Sequence, residues 1–93
     1  MNAYVFVDAF GPVCIAAESE AAVTAAYAAL YGDADGIPEA RRLSVDELDS
    51  VYINRFSESA SVFETMSVRQ FMQLHSEESE AYLIGDIVKA VQQ

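Results

Sequence analysis

Apolar runs at the start of the chain predict a β-hairpin. Residues 3–10 are rich in β-branched and aromatic side chains, and residues 13–17 form a second short apolar run. Gly11 and Pro12 lie between them and are typical turn residues. Apolar side chains occupy both odd and even positions of the first run, so we expect both faces of this strand to be at least partly covered.

The next segment has the apolar spacing of a helix. Ser19 precedes it as a typical N-cap, and Gly32 follows it as a typical C-terminal stop. A helix is therefore predicted over Glu20–Tyr31. Its buried stripe should be the residues spaced i, i+3, i+4 and i+7, namely Val23, Ala26, Tyr27 and Leu30.

Two capping boxes predict two short helices in the second half of the chain. Ser44 with Glu47, and Ser67 with Gln70, form Ser-x-x-Glu/Gln patterns, in which each side chain accepts a hydrogen bond from the other residue's backbone N–H. One short helix should begin at residue 45, and another should run from residue 68 to about residue 75.

The segments around these helices are less uniform. Residues 51–56 fit either a helical face or a strand, and we favour a hairpin in which they pair with residues 61–65 across the turn at 57–60. Residues 77–91 are predicted as a last helix, capped by Ser76. Its apolar stripe would be Ile84, Ile87, Val88 and Val91.

Together these elements predict an α+β fold. A small antiparallel sheet, made of the N-terminal hairpin and the second hairpin, would pack against three to four helices. The 93 residues are enough for one compact domain spanning residues 1–93 and too few for two.

The charge of the chain narrows its classes of partner. Fifteen Asp and Glu against five Lys and Arg give a formal net charge of −10. Nucleic acids and anionic membranes are bound mainly through Lys and Arg, so direct binding to either is disfavoured. A basic protein surface is the partner that this charge favours, with the chain itself a monomer or a homodimer.

The compartment is predicted from cysteine content and hydropathy. The single cysteine excludes an internal disulfide and fits a reducing environment. No run approaches the roughly 20 apolar residues of a membrane span. The apolar N-terminal run lacks the preceding positive charge of a signal peptide. A cytoplasmic protein of the host cell is expected.

One short motif resembles the opening of a calcium-binding EF-hand loop. Asp33, Asp35 and Gly36 match ligand positions 3 and 5 and the glycine at position 6. In that register Tyr31 replaces the first ligand and Arg42 replaces the closing glutamate. The pattern therefore favours an ordinary turn, and no metal or other cofactor is predicted.

Catalytic chemistry is not expected either. Cys14 lies inside a strand-like apolar run, where a buried, unreactive thiol is the usual outcome. His75 ends a predicted helix, where a protonated imidazole is favoured by the helix dipole. There is no phosphate-binding glycine loop, nucleophile elbow or dinucleotide motif, so the protein is predicted not to be an enzyme.

The acidic residues are the candidate binding site. They fall into three groups that would form a negative strip resembling a phosphate backbone if they shared one side of the protein. Helix first turns and solvated loops would account for some of them, but not for the total. The groups are Asp33, Asp35 and Glu39; Asp46, Glu47 and Asp49; and Glu77, Glu78 and Glu80.

In overall character the chain resembles the small acidic inhibitors of phages and mobile elements, including anti-CRISPR proteins and DNA mimics. The resemblance lies in the short single domain, the charge of −10, the absence of catalytic motifs and acidic stretches such as DELDS and HSEESEAY. It implies a protein that binds a CRISPR effector or a similar nuclease complex and blocks nucleic-acid loading or cleavage.

The alternative is an adaptor or antitoxin-like module that binds through apolar surface. Tyr and Phe are enriched in the cores of protein interfaces, although each one is more commonly part of a domain core. The candidate residues are Tyr31, Tyr52, Phe56, Phe63 and Tyr82.

Overall fold

A computed structural model describes residues 1–8, 11–34, 36–57 and 59–90. Within these ranges the chain forms six strands and three helices. In chain order they are β1 (Asn2–Asp8), β2 (Gly11–Ala17), α1 (Glu20–Tyr31), β3 (Arg41–Arg42), α2 (Glu47–Ser50), β4 (Val51–Ser57), β5 (Val62–Ser67), α3 (Val68–Leu74) and β6 (Tyr82–Ala90).

All six strands belong to one antiparallel sheet in the order β3-β1-β2-β6-β4-β5. The two predicted hairpins are present as β1–β2 and β4–β5, and β6 lies between them. The predicted fold class is wrong, because the described chain is mostly β-sheet with short helices and not a small sheet packed against three to four helices. The last third of the chain accounts for most of the difference.

The helix predicted over residues 77–91 is also wrong, because residues 82–90 form the strand β6. The pairing register of β6 shifts twice, once against β2 and once against β4. Each shift adds a residue to the strand and breaks the alternation of side chains. The core-facing residues Ile84 and Ile87 are therefore three positions apart, a spacing that mimics a helical face.

The sheet has a separate apolar core on each face. The α1 face is covered by α1 and buries the side chains of Tyr4, Phe6, Val13, Ile15, Ala17, Val23 and Tyr27. The α3 face is covered by α2, α3 and Leu43, and it buries Ala3, Val5, Cys14, Ala16, Val51, Ile53, Val68, Phe71 and Ile84.

Three of the four predicted capping serines form the expected local hydrogen bonds, whereas no helix follows Ser76. The N–H of Ala22 donates to Ser19 Oγ at 3.1 Å, and Ser67 and Gln70 form the second capping box around the start of α3. The first capping box is also present, because the N–H of Ser44 donates to Glu47 Oε1 at 3.1 Å and the N–H of Glu47 donates to Ser44 Oγ at 3.2 Å. Local signals thus fix where α1 and α3 begin. By contrast, α2 begins at Glu47 and not at residue 45 as predicted, and its N-cap Asp46 makes no side-chain hydrogen bond to the helix.

The apolar stripe of α1 is narrower than its spacing predicts. Val23 and Tyr27 are buried, whereas Leu30 is 51% exposed. Leu30 lies in the last turn of the helix, before Gly32 at φ +80° ends it. The stripe therefore reaches the core only through the first two-thirds of α1.

Candidate functional site

Helix α1 covers only part of its face of the sheet. It packs on β1 and β2 through Val23 and Tyr27, and the same face continues across β6, β4 and β5. The register of the strands assigns the side chains there, since residues directly opposite each other in a sheet point to the same side. We call this area the open face; it comprises Tyr52, Asn54, Phe63, Thr65, Leu83 and Asp86.

The open face combines apolar and polar side chains. Phe63 is 67% exposed and Leu83 is 42% exposed, so this face presents large apolar side chains to solvent. On the same face, Thr65 Oγ1 donates a hydrogen bond to Asn54 Oδ1 at 3.3 Å across the β4–β5 pair. Such an arrangement, with aromatic surface beside paired polar groups, is the usual composition of a protein-binding surface.

An aromatic stack lies in the α1-face core beside the open face. The rings of Phe6 and Tyr27 are 4.5 Å apart, and those of Tyr27 and Tyr31 are 5.0 Å apart. Tyr27 Oη donates a hydrogen bond to Asp8 Oδ2 at 3.1 Å. Burial, this hydrogen bond and the negative charge of Asp8 raise the pKa of Tyr27.

Tyr31 ends this stack at the surface. It is 49% exposed, and its pKa is raised by partial burial and then by the negative charges of Asp86 and Asp8. A phenol beside two carboxylates would offer a cation both an aromatic face and opposite charge. The boundary between α1 and the open face is therefore acidic as well as aromatic.

The first predicted acidic group flanks the α1 face. Asp33 and Glu39 are exposed in the segment that follows α1, and Ile37 between them packs against the α1-face core. Asp35 lies outside the described residues. The two described carboxylates form no ion pair with any residue that the structure describes.

The second predicted group is largely neutralised by arginines. Arg41 Nη1 donates to Glu47 Oε2 at 2.8 Å, and Arg69 Nε donates to Asp49 Oδ1 at 2.6 Å. The hydrogen bonds from Arg41 and from the backbone of Ser44 lower the pKa of Glu47. Only Asp46 of this group has no ion pair within the described part of the chain, and all three residues lie beside the α3 face.

The third predicted group connects α3 to β6. Glu77, Glu78 and Glu80 are exposed there, in a turn and not in the first turn of a helix. The N–H of Glu78 donates to the carbonyl of His75 at 3.0 Å. These three carboxylates also lack ion pairs among the described residues. The first group thus lies beside the α1 face through Ile37, and the second lies beside the α3 face through Leu48.

The candidate aromatic residues also lie on different faces of the sheet. Tyr31 and Phe63 are exposed, and Tyr52 is half-buried on the open face. Tyr82 is half-buried against the α3-face core, where its ring lies 5.2 Å from that of His75. The side chain of Phe56 lies outside the described part of the structure.

Sequence reasoning missed two members of the open face. Leu83 and Asp86 were assigned to a helix, where they would not share a surface with Phe63. The signal that would have found them is the composition of residues 82–88, which combine β-branched and aromatic side chains with an internal glycine.

Two further observations bear on chemistry. Cys14 is fully buried, and burial raises the pKa of its thiol to about 12, so it is a poor nucleophile at neutral pH. Within the described ranges, no three His, Cys, Asp or Glu side chains are placed to hold a metal ion. No described helix is long and apolar enough to cross a membrane.

Comparisons of the chain with protein families, with curated proteins and with solved structures give no significant match. The surface itself is therefore the basis for a functional proposal.

Proposed function

We propose that this chain is a protein-binding inhibitor that acts in the host cytoplasm and engages the basic, nucleic-acid-binding surface of a nuclease complex, such as a CRISPR effector. The observation that carries the proposal is the set of exposed carboxylates without an ion pair in the described chain. Within the three predicted groups they are Asp33, Glu39, Asp46, Glu77, Glu78 and Glu80.

Unpaired surface carboxylates favour this class of partner for electrostatic reasons. A chain of charge −10 attracts a basic protein at long range and repels nucleic acid. Grooves that bind phosphates are lined with Lys and Arg, so they are the most complementary surfaces available to it. Occupying such a groove would exclude the nucleic acid, which is how binding would become inhibition.

The division of the acids between both faces refines the idea of a phosphate-like strip. A partner that contacts the third group and Asp46 would meet the α3 side of the molecule. Glu47 and Asp49 contribute less to such a contact, because Arg41 and Arg69 already neutralise them. The unpaired carboxylates are thus the ones to test.

The open face supports a second candidate function, a non-mimetic adaptor that binds through aromatic surface. Phe63 and Leu83 would be the anchors, since exposed apolar side chains gain most from burial in an interface. Salt separates the two candidates. Contacts made by exposed charges weaken steeply with ionic strength, whereas aromatic contacts hardly change.

The test is affinity capture from nuclease-treated lysate of the natural host, followed by a nucleic-acid binding assay on the recovered complex. The bait is the wild-type chain or a variant carrying Asp46→Asn, Glu77→Gln, Glu78→Gln and Glu80→Gln. The matched control is Phe63→Ser. We expect the wild type and the control to recover a basic complex that elutes as salt rises and no longer binds nucleic acid.

The four-site variant should lose this complex while keeping its melting temperature. Capture that survives high salt, is unaffected by the four-site variant and is lost with Phe63→Ser would contradict the inhibitor and favour the adaptor.

A further inference from the structure

The two edges of the sheet differ in how well they are protected. The β3 edge has only two residues, Arg41 and Arg42, and charged, short edge strands discourage pairing with other chains. The β5 edge has six residues, VFETMS, with no proline, lysine or glycine. Because β5 is the last strand in the described sheet, its outward N–H and C=O groups have no strand partner there.

A groove runs beside this edge on the α3 face. It has a volume of about 500 Å³ and lies between β5 and α3. The residues that line it are Glu64, Thr65, Met66, Gln70, Gln73 and Leu74. The groove thus lies where the side chain of an added strand would point.

The chemistry of the groove fits a long basic side chain. Met66 and Leu74 offer apolar surface to an alkyl stem, and Leu74 is exposed. The Glu64 carboxylate is exposed and forms no ion pair with a described residue, although Arg55 lies opposite it in the β4–β5 register. Gln73 adds an exposed amide, whereas Gln70 Oε1 already accepts a hydrogen bond from the N–H of Ser67.

We propose that β5 binds an extended segment of the basic partner as a seventh strand, with one of its Lys or Arg side chains in this groove. Main-chain hydrogen bonds to the free edge supply affinity, and the groove supplies side-chain selectivity, which is the usual division in strand addition. This inference rests on the proposed function, because it takes the partner to be a basic protein.

Charge distinguishes this occupant from a second copy of the chain. Two copies joined along β5 would bring together two molecules of charge −10 each. In the symmetric antiparallel pairing, the groove beside Glu64 would also receive no Lys from the partner strand, because β5 contains none. A basic segment satisfies both the net charge and the groove.

The probe is a random dodecapeptide display library selected on the immobilised full-length wild-type protein. We expect enrichment of peptides in which Lys or Arg is flanked by β-branched residues. Calorimetry on a synthetic selected peptide should show binding at least fivefold weaker with Glu64→Gln and unchanged within twofold with the matched control Glu18→Gln, an exposed carboxylate outside the three predicted acidic groups. Hydrogen exchange should show that every second amide of β5 becomes protected.

Selected peptides without basic residues, equal binding by Glu64→Gln, or protection confined to other elements would overturn strand addition. Sedimentation that shows the free protein self-associating through β5 would overturn it too, since a second copy would then occupy the edge. Failure of the proposed function would be seen in a different experiment, the affinity capture, in which the wild type would then recover no basic protein. Failure of strand addition alone would leave that capture intact in Glu64→Gln.

Discussion

The two halves of the α1 face differ in what covers them and in the side chains they present. Over β1 and β2 the helix buries Phe6 and Ile15 completely. Over β6, β4 and β5 no described helix lies on that face, and Phe63 and Leu83 remain exposed. The buried side chains of the half that a helix covers are all apolar or aromatic, whereas the uncovered half mixes apolar side chains with Asn54, Thr65 and Asp86. One half of this face contributes to folding, and the other is available for binding.

The largest expected difference between the two halves is in the loss of unfolding free energy caused by Phe6→Ala and by Phe63→Ala. Phe6→Ala removes a fully buried ring and leaves a cavity, so we expect a loss of about 3–5 kcal/mol of unfolding free energy. Phe63→Ala removes an exposed cross-strand partner of residue 56 and should cost less than about 1 kcal/mol. Urea denaturation of both variants measures the difference.

Comparable losses for the two variants would mean that the open face is part of the core. The open face would then contribute to folding as the covered half does.

Alkaline pH should lower the free energy of unfolding through the buried thiol of Cys14 in β2. The folded pKa of Cys14 is raised to about 12 from 9.0, so folding favours the neutral thiol. Its contribution is fully present below pH 9 and is lost as pH rises toward 12, at about 1.4 kcal/mol for each pH unit. Urea midpoints between pH 8 and pH 10.5 should fall accordingly, with Cys14→Ala as control.

The Cys14→Ala variant retains the tyrosines, whose raised pKa values act in the same direction, so it should show a shallower decline. Equal slopes for wild type and variant would show that the thiol is accessible to water.

Substitution of Gly85 tests whether the backbone of β6, the strand between the covered half and the open half, tolerates a side chain at this position. Its φ of +138° is a conformation that side chains rarely adopt, and an added Cβ would lie 3.4 Å from the Asn54 carbonyl oxygen. We expect Gly85→Ala to destabilise by about 1–3 kcal/mol, measured by thermal unfolding. Ala81→Gly, at an exposed position just before β6, is the control. An unchanged melting temperature would show that β6 relaxes freely.

The smallest expected loss of stability is at Tyr27, where helix α1 meets the open face. Tyr27→Phe keeps the ring stacked on Phe6 but removes the hydrogen bond to Asp8, for a loss of about 0.5–1.5 kcal/mol. Chemical denaturation at pH 7 measures this loss. A larger effect would indicate that the phenol holds Asp8 in place for the whole hairpin.

Local signals in the sequence predicted several elements correctly. Ser19 and Ser67 cap helices as expected, because a cap depends only on residues within one turn. The β4–β5 hairpin was likewise predicted from composition and its short turn. These features require no knowledge of the rest of the fold.

Long-range features were not predictable in the same way. The bulges of β6 arise from its position between β2 and β4, and they replaced alternation with the spacing of a helix. The ion pair between Asp49 and Arg69 joins residues 20 positions apart. The candidate acids were therefore identified by type, but the neutralisation of Glu47 and Asp49, and the faces beside which the described acids lie, depend on tertiary contacts.

The position of β6 also has a consequence for synthesis. β6 is the last strand in chain order among the described elements, yet it is the only link between the β1–β2 and β4–β5 hairpins within the described sheet. A nascent chain emerges N-terminus first, so both hairpins precede the strand that joins them. Until residues 82–90 leave the ribosome, Cys14 and Ile53 lack the neighbouring strand they pack beside. The complete sheet can therefore form only after both hairpins have been translated.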